Sequence, residues 1–465
     1  MVHLSQAPRS IADTSIVSIV GAGLAGSLLA IYLARRGFQV EIFERGADPR
    51  ETGNATYRKS EGRSINLALA QRGISALQRI GLHHRVGQFA LPMSGRMVHV
   101  GSTPPVMLPY GQRPGEVIYS VHREQLNQAL LDAAENTRRV RCHFRQELKS
   151  LDLSTSTACF HDHASGRDYL RSAAPVIGAD GVGSTVRGAI DQATGGQTHS
   201  HLLEHGYREY GIAPTASGDF ALASEALHIW PRGDFMLIAL PNTDGSFTAT
   251  AFMANKGPDS FASLNNRDAE KAFLQTHFAD IADKLQAPNT EQAPVGVLGS
   301  LSCEHWFHEH RAVILGDAAH AIVPFHGQGM NCAFEDVEEF DRCLSDTKTW
   351  DEAFHMFQHR RKDNARAIAE MAMENYLEMR SAVADPAYRL RRQLEQALEK
   401  RFPRRFVPRY SLVMFRQVDY RRAQKRGQIN LGILQELTRN ITQVSQVDWV
   451  LAEHLVAQRL TPLDP

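Results

Sequence analysis

Hydrophobic residues near the start of the chain follow two patterns in turn. Ile16–Val20 is a continuous apolar run, typical of a buried strand, and an uncharged segment rich in Leu and Ala then continues to Ala34. A second run, Gln39–Phe43, follows. The pattern predicts a strand, a helix and a second, parallel strand. The uncharged stretch from Thr14 to Ala34 also allows a membrane-spanning helix, but three glycines in its first half disfavour that interpretation.

The glycines between the first strand and the helix have the spacing of a dinucleotide-binding turn. Gly21 permits the tight turn, Gly23 lets the backbone approach a pyrophosphate, and Gly26 lets the helix pack closely on its strand. Glu44 ends the second strand about 20 residues later, where this motif places a carboxylate for a ribose hydroxyl. These four residues predict a nucleotide site at the helix N-terminus, which favours anions.

Further along, the pattern divides the chain into regions. Val117–Val121 predicts a strand that leads into a helix and places Arg123 at their junction, whereas alternating runs between 227 and 252 predict a largely antiparallel sheet. From Glu335 onward the pattern is mostly helical. We therefore predict an α/β fold: a Rossmann-like domain with an inserted antiparallel sheet domain and a C-terminal helical region. The predicted boundaries are 1–85, 111–195 and 300–345 for the nucleotide-binding domain, 86–110 and 196–299 for the sheet domain, and 346–465 for the helical region.

Charge and cysteine content narrow the class of partner. Lys plus Arg equals Asp plus Glu at 51 each, so no overall field would attract nucleic acid or an anionic membrane. Met1–Ser15 is polar and resembles no signal peptide, and the five cysteines form no CxxC pair, which indicates a reducing, cytoplasmic location. The sequence contains no GxSxG, GxxxxGK[ST] or HExxH motif, so hydrolase, P-loop and zincin functions have no support.

Two further motifs resemble those of the class A flavoprotein monooxygenases. One runs from Gly178 through Asp180 and Gly181 to Arg187, and the other is Gly316-Asp317 followed by Pro324–Asn331. The resemblance implies bound FAD, with Asp317 on its ribityl chain. A helix beginning near Gly329 would direct its N–H groups toward the negative charge that reduced flavin carries near N1 and O2.

Several segments are more specific, and they resemble the kynurenine 3-monooxygenase family: Gly62–Leu69, Leu227–Pro231, Pro324–Asn331, Glu374–Tyr376 and Pro408–Tyr410. The resemblance implies hydroxylation of L-kynurenine to 3-hydroxykynurenine with NADPH and O2, through a hydroperoxide at flavin C4a, in tryptophan degradation and NAD-precursor synthesis. Eukaryotic members carry a C-terminal membrane anchor. Because Asp448–Pro465 is short and charged, we expect a soluble enzyme of the bacterial type, with no obligate protein partner.

The same resemblance implies roles for individual residues. It implies that Arg96 and Tyr110 bind the substrate carboxylate and that Asn375 and Tyr410 complete the pocket. Pro324 and Phe325 would shape this pocket beside the flavin. No side chain is assigned as a catalytic acid or base. The residues matched to FAD contacts, with those of the glycine turns, are Gly21, Gly23, Ala25, Gly26, Phe43, Glu44, Arg45, Gly46, Ala68, Arg123, Leu148, Asp180, Thr185, Gly316, Asp317, Gly329, Met330 and Asn331.

Other interpretations of the sequence stay open. The nearest is a flavin monooxygenase for another aromatic acid, and a more distant one is an FAD-binding redox sensor without turnover. Cys303, His305, His308 and His310 have a spacing similar to that of metal ligands, but they directly precede the strand of the Gly316-Asp317 motif, so we expect no metal. The arginine-rich patch between 389 and 405 has no assigned role.

Overall fold

A computed structural model describes residues 10–14, 16–51, 66–101, 103–286, 295–381 and 385–463. Residues 62–65 of the family-specific segment Gly62–Leu69 therefore lie outside the described part of the chain. The helices are α1 Leu24–Arg35, α2 Gln71–Arg79, α3 His83–Gly87, α4 Arg123–Asn136, α5 Thr185–Thr194, α6 Arg267–His277, α7 Asp317–His320, α8 Gly329–Asp346, α9 Trp350–Ser381, α10 Pro386–Arg401, α11 Arg409–Met414, α12 Tyr420–Thr438 and α13 Trp449–Arg459.

The strands form four sheets. They are β1 Ile16–Val20, β2 Gln39–Phe43, β3 Asn66–Leu69, β4 Ala90–Met93, β5 Gly95–Val98, β6 Val106–Pro109, β7 Ile118–His122, β8 Val140–His143, β9 Gln146–Asp152, β10 Thr157–Asp162, β11 Arg167–Ser172, β12 Val176–Gly178, β13 Thr198–Ile212, β14 Ala226–Pro231, β15 Met236–Pro241, β16 Phe247–Ala254, β17 Leu285–Gln286, β18 Gly296–Cys303, β19 Phe307–His308 and β20 Ala312–Ile314.

The first sheet is the Rossmann-like one. Its strand order is β19-β20-β12-β1-β2-β8, and every neighbouring pair is parallel except β19 with β20. Parallel strands need crossover connections, and the helix α1 provides the one between β1 and β2. This arrangement places the carboxyl ends of β1, β2, β12 and β20 at one edge, where an open α/β sheet binds its ligand.

Close backbone packing explains two of the glycines at this edge. A Cβ on Gly26 would lie 2.0 Å from the carbonyl oxygen of Gly21. Gly21 has φ +101°, and a Cβ there would lie 2.4 Å from the carbonyl oxygen of Ala179. No side chain fits at either position, so β1, α1 and the loop after β12 approach one another through bare backbone.

Within the uncharged stretch from Thr14 to Ala34, residues 16–34 are divided between β1, the glycine turn and α1, a helix of 12 residues. Leu28, Leu29 and Ala30 on that helix are completely buried. The apolar character of this stretch thus serves the core of the protein. Within the described ranges, no helix combines the length and the hydropathy that crossing a membrane requires.

The largest sheet has eight strands. Its order is β17-β13-β16-β15-β14-β5-β6, with β18 also paired to β13, and all pairs are antiparallel except the parallel pair β14 and β5. A smaller sheet pairs β7 with β3 and β4. The strand β4, inside the segment 86–110 assigned above to the sheet domain, thus pairs with β7 instead. The domain boundaries stay predictions.

The described residues after 346 form five helices. The long helix α9 packs on α8 and α12, while Leu394 and Leu398 of α10 share an apolar cluster with Ile433 of α12. A second cluster joins Met371 of α9 to Met93 of β4. The helical region therefore packs against the strands and does not extend away from them, which brings α11 close to the sheets.

Backbone packing at Gly21 generates a stability prediction. We expect Gly21→Ala to lower the free energy of unfolding by about 3 kcal/mol or more, because the new Cβ is both in a left-handed conformation and in contact with the Ala179 carbonyl. Gly37 is the control, since its φ is +97° but a Cβ there would meet nothing within 4 Å. Gly37→Ala should lower the free energy of unfolding by about 1 kcal/mol. Urea unfolding of both variants measures the difference, and equal losses would contradict the packing argument.

Candidate active site

A cavity of about 450 Å³ lies between the Rossmann-like sheet and the eight-stranded sheet. One part of its wall comes from the glycine turn before α1, the start of α4, α7 and the start of α8. The facing part comes from strands β14, β15 and β16 and from α11. The cavity thus joins the predicted cofactor region to the predicted substrate region in one continuous space.

The cofactor end is lined by backbone at two helix N-termini. Gly23 precedes α1 and Gly329 opens α8, and a Cβ built on either residue would meet no atom within 4 Å. Neither helix has a side-chain N-cap, so the N–H groups of their first turns are available to a ligand. Two such termini in one cavity, with Arg123 also in its wall, suit the two phosphates of FAD and the anionic edge of its reduced ring.

Asp317 supplies the acidic group of this end. Its side chain is exposed and lines the cavity. Burial within the protein raises its pKa, while His320 and Arg123 act in the opposite direction. A carboxylate in this position is suited to accept hydrogen bonds from the hydroxyls of a ribityl chain.

The predicted FAD residues divide into two groups. Those that line the cavity are Gly23, Ala25, Ala68, Arg123, Asp317, Gly329 and Met330. Those that do not line it are Gly21, Gly26, Phe43, Glu44, Arg45, Gly46, Leu148, Asp180, Thr185, Gly316 and Asn331. Direct FAD contacts by both groups stay predictions, and several side chains of the second group have other contacts in the structure.

Glu44 and Asp180 bind backbone around the cofactor end. The carboxylate of Glu44 accepts from the N–H groups of Ala22 at 2.9 Å and Gly46 at 2.8 Å. Asp180 accepts from the N–H of Thr185 at 2.8 Å, at the start of α5. Burial raises the pKa of Asp180, and its hydrogen bonds oppose that shift. Both carboxylates therefore hold the loops in place, and Glu44 remains beside the glycine turn, where a ribose is expected.

Phe43, Leu148 and Asn331 lie behind the cavity wall. Phe43 stacks between His143 and Phe160, and Leu148 is buried in the same core. The amide of Asn331 accepts from the N–H of Ala70 at 2.9 Å and donates to the carbonyls of Ala68 and Gly327, both at 2.8 Å. With its whole amide group, Asn331 thus ties the segment 68–70 to the loop that leads into α8.

Arg96, Tyr110 and Tyr410 meet at the other end of the cavity. The guanidinium carbon of Arg96 lies 5.6 Å from the ring centre of Tyr110 and 5.1 Å from that of Tyr410. The two tyrosine rings stack at 5.3 Å with an interplanar angle of 14°. These residues come from β5, the end of β6 and α11, so the structure brings together three of the four predicted substrate residues.

The electrostatics of this group favour binding of an anion. Burial by itself lowers the pKa of Arg96, but Tyr410, Tyr110 and Glu378 outweigh it, and the pKa rises above its ordinary value. Burial also raises the pKa of Tyr110 and of Tyr410. The arginine is therefore a permanent cation and both tyrosines keep their protons as hydrogen-bond donors.

Asn375, the fourth predicted residue, is not part of the cavity wall. It is buried, and its amide nitrogen donates to the carbonyl oxygen of Phe325 at 2.6 Å. Phe325 and Pro324 do line the cavity, in a single 3-10 turn. Asn375 therefore supports the turn that shapes the pocket, and its direct contact with substrate stays a prediction.

Sequence reasoning missed His326, although it lies inside the quoted segment Pro324–Asn331. The side chain lines the cavity, and its ring stacks on Tyr410 at 5.6 Å. Its Nδ1 has no hydrogen-bond partner among the described residues. Burial lowers the pKa of His326 to about 3, so the imidazole is neutral at physiological pH. The sequence signal that could have pointed to His326 was its place within the family-specific segment Pro324–Asn331.

The described residues contain one group with metal-ligand geometry, His320, Cys332 and Asp336. Asp336 instead accepts from the guanidinium of Arg361 at 2.7 Å, and a nitrogen of that guanidinium lies 3.3 Å from the sulfur of Cys332. A buried guanidinium at the carboxylate and the thiol is incompatible with a cation there. The group belongs to an ion-pair network.

Comparison with known proteins identifies the class. A family model described as an FAD binding domain matches residues 13–372. Among solved structures, tetrameric 2-methyl-3-hydroxypyridine-5-carboxylic acid oxygenase matches with a TM-score of 0.65 and 17% identity, covering 83% of this chain and 98% of that one. PqsL, a probable FAD-dependent monooxygenase from Pseudomonas aeruginosa, matches with a TM-score of 0.62 and 17% identity, covering 79% and 96%. The chain has the fold of the FAD-binding monooxygenases.

Curated relatives define the family within that class. Kynurenine 3-monooxygenase of Xanthomonas campestris pv. campestris (strain 8004) is 44% identical over 98% of both chains. That of Stenotrophomonas maltophilia (strain K279a) is 44% identical over 96% of this chain and 98% of its own. The chain belongs to the kynurenine 3-monooxygenase family, an FAD-dependent aromatic monooxygenase family.

The position of the Asp317 carboxylate in the cavity wall leads to a prediction about FAD binding. We expect Asp317→Ala to weaken FAD binding by about tenfold or more, because a hydrogen-bond acceptor in the cavity wall is lost to the cofactor. Flavin fluorescence titration of the apoprotein measures the affinity. Asp234→Ala, at an exposed turn away from the cavity, is the control and should bind FAD normally. Wild-type affinity in Asp317→Ala would exclude this carboxylate as a cofactor ligand.

Proposed function

We propose that this protein hydroxylates L-kynurenine to 3-hydroxykynurenine, consuming NADPH and O2 with FAD bound. One observation carries the proposal. The same cavity presents two uncapped helix N-termini and Asp317 at one end, and Arg96 beneath Tyr110 and Tyr410 at the other. An aromatic amino acid held by its carboxylate at the second end would extend its ring toward the first.

Arg96 holds the amino-acid end. Its guanidinium fork pairs with a carboxylate through two parallel hydrogen bonds, and the neutral hydroxyls of Tyr110 and Tyr410 add further donors. The ring stack that includes His326 fixes the direction in which these donors point. An aromatic substrate without a carboxylate in the corresponding position would leave the buried cation unpaired, which disfavours its binding.

The aromatic ring of the substrate would occupy the apolar middle of the cavity. The eight-stranded sheet contributes Leu227, Ile238, Leu240 and Phe252 to this part of the wall, and Phe325 faces them. Such a lining excludes water from the reacting atoms. Bound FAD supplies the reducing step with NADPH and the transfer of one oxygen atom to a ring that the amino group of kynurenine already activates.

The residues near the ring need not move a proton. His326 is neutral and Asp317 lies at the cofactor end, so neither is placed as an acid or base toward the substrate ring. The N-terminal N–H groups of α8 would stabilise the negative charge of the reduced cofactor, held by Gly329 and Met330. The protein therefore acts through positioning, electrostatics and water exclusion.

The proposal also includes a cytoplasmic location and a small-molecule substrate without a nucleic-acid partner. The five cysteines are free thiols, which suits a reducing compartment. The balance of 51 basic and 51 acidic residues gives no general attraction for nucleic acid.

Incubation of the purified flavoprotein with NADPH, air and L-kynurenine tests the reaction. We expect 3-hydroxykynurenine as the product, identified by chromatography and mass spectrometry, in near-equal amount to NADPH consumed. Parallel incubation with anthranilate tests the alternative of another aromatic acid. NADPH oxidation that yields only hydrogen peroxide with kynurenine would contradict the proposal, and a protein that binds FAD without consuming NADPH would be a redox sensor.

Truncation of Arg96 tests the substrate end. We expect Arg96→Ala to weaken kynurenine binding by about 2 kcal/mol or more, because the substrate carboxylate loses its buried cationic partner. The FAD content should stay unchanged. Arg208→Ala is a matched control, since Arg208 also lies over an aromatic ring, that of Phe261 at 5.2 Å, but outside the cavity wall. Loss of flavin in Arg96→Ala would indicate a structural role instead.

A further inference from the structure

One family-specific segment, Leu227–Pro231, makes up nearly all of the strand β14. Within this segment only Leu227 lines the cavity. The side chain of His228 is 2% exposed, and that of Trp230 is completely buried. The strand pairs with β5, so these buried side chains lie next to the strand that carries Arg96.

The position of β5 in the sheet depends on β14. The other neighbour of β5 is β6, a strand of four residues at the edge of the eight-stranded sheet, and its Val106 is 57% exposed. On the inner side, the register places Arg96 opposite Leu227 in a parallel pairing, which is slightly less stable per residue than an antiparallel one. Contacts that fix β5 on β14 therefore also fix where the guanidinium of Arg96 starts.

A pair of buried histidines joins the two strands on the sheet face opposite the cavity. Side chains alternate along a strand, so His228 points away from the cavity that Leu227 lines. Nε2 of His99, the residue directly after β5, lies 2.9 Å from Nδ1 of His228. The backbone N–H of His99 also donates to the carbonyl of Ile229 at 2.9 Å. The end of β5 is thus held to β14 through backbone and side chain together.

Hydrogen-bond chemistry decides which ring nitrogen of each histidine carries the proton. Burial lowers the pKa of His99 to about 4 and also lowers the pKa of His228, so near pH 7 both rings are neutral with one N–H each. Nε2 of His228 lies 2.9 Å from the carbonyl oxygen of Ala223, which can only accept, so the proton of His228 is there. Its Nδ1 is therefore an acceptor, and Nε2 of His99 is the donor.

Trp230, Asp280 and Arg232 hold the ring of His99 in the direction of His228. The ring stacks on that of Trp230 with centres 4.2 Å apart and an interplanar angle of 15°. The indole N–H of Trp230 donates to the carboxylate of Asp280 at 2.7 Å. Arg232 donates to the carbonyl of His99 at 3.1 Å. With its face and its backbone held in this way, His99 directs Nε2 at one acceptor.

We propose that His228 is a positioning residue for the substrate carboxylate, because its hydrogen bond with His99 fixes the strand that presents Arg96. A guanidinium fork and a carboxylate form two parallel hydrogen bonds only within a narrow geometry, so the placement of the strand affects affinity. Kynurenine as the ligand rests on the proposed function. The positioning rests on the register of β5 with β14 and on the two contacts of the His228 ring.

Two substitutions of His228 form a matched pair. His228→Asn places an amide oxygen near the position of Nδ1, so it keeps an acceptor for His99 and loses the contact with Ala223. His228→Gln reaches the position of Nε2, so it keeps a donor for Ala223 and loses the acceptor for His99. Asparagine, the shorter side chain, leaves the larger void, so a merely structural effect would be greater in His228→Asn.

Titration of the FAD-loaded enzyme with kynurenine, followed by flavin absorbance, measures the dissociation constant. We expect it to rise by about fivefold or more in His228→Gln and by less than about twofold in His228→Asn, with unchanged FAD content in both. In the Arg96→Ala background, His228→Gln should cause no further loss, because its effect passes through the guanidinium. Binding of 2-aminoacetophenone, which has the aromatic amine and ketone of kynurenine but no carboxylate, should be equal in wild type and His228→Gln.

Several results would overturn the positioning role. They are a wild-type dissociation constant in His228→Gln, an equal or greater loss in His228→Asn, and a further loss in the Arg96→Ala background. If the His228 variants do not fold, His99→Gln and His99→Asn decide the question, because glutamine keeps a donor near the position of Nε2 and asparagine does not. Equal affinities of these two variants for kynurenine would then overturn the role.

Failure of the proposed function gives a different result. A wild-type enzyme that binds kynurenine but forms no 3-hydroxykynurenine would overturn the proposed function and leave the positioning role intact, because that role concerns the bound carboxylate. If the wild-type enzyme binds anthranilate instead of kynurenine, the proposed function also fails. The comparison of His228→Gln with His228→Asn, made with anthranilate, then decides the positioning role.

Discussion

A chain of buried ion pairs connects the parts of this structure that are distant in sequence. Arg361 of α9 pairs with Asp336 at 2.7 Å and with Glu335 at 2.7 Å, both on α8, and Glu335 also pairs with Arg72 of α2. Asp336 in turn accepts from the N–H of Gly316 at 3.0 Å. Each of these charges is largely removed from water and would be destabilising if it were unpaired. The three helices and the Gly316 loop must therefore keep one arrangement. The cofactor end of the cavity is built on that arrangement.

The network also keeps the buried carboxylates of Glu335 and Asp336 engaged with side chains of the protein. The pKa of Asp336 is lowered because His320 and Arg361 outweigh the effect of burial, and the pKa of Glu335 is lowered for the same kind of reason by Arg361 and Arg72. These carboxylates are permanently charged and paired. Asp317, which lacks such pairing and faces the cavity, is the acid left to interact with a cofactor.

The two ends of the cavity are built from different chemical groups. The cofactor end is made of backbone N–H groups at helix starts, which recognise negative charge with little help from side chains. The substrate end is made of side chains on separate elements, and Arg96 and Tyr410 are more than 300 positions apart in the sequence. Two solved structures share the fold at only 17% identity, which shows that the fold does not require a particular set of side chains at the substrate end.

The sequence by itself determined the elements around Gly21, because apolar periodicity and turn glycines are encoded over short stretches. The resemblance of its motifs to those of known families supplied the cofactor and the family. Resemblance to the family supplied Arg96, Tyr110 and Tyr410, which composition and periodicity would have left as ordinary surface or core residues. Only the tertiary structure decided which side chains reach the cavity. It placed Asn375 and Asn331 behind the wall and His326 in it. The physical reason is that the direction of each side chain depends on packing between segments far apart in the chain, and no local pattern records that packing.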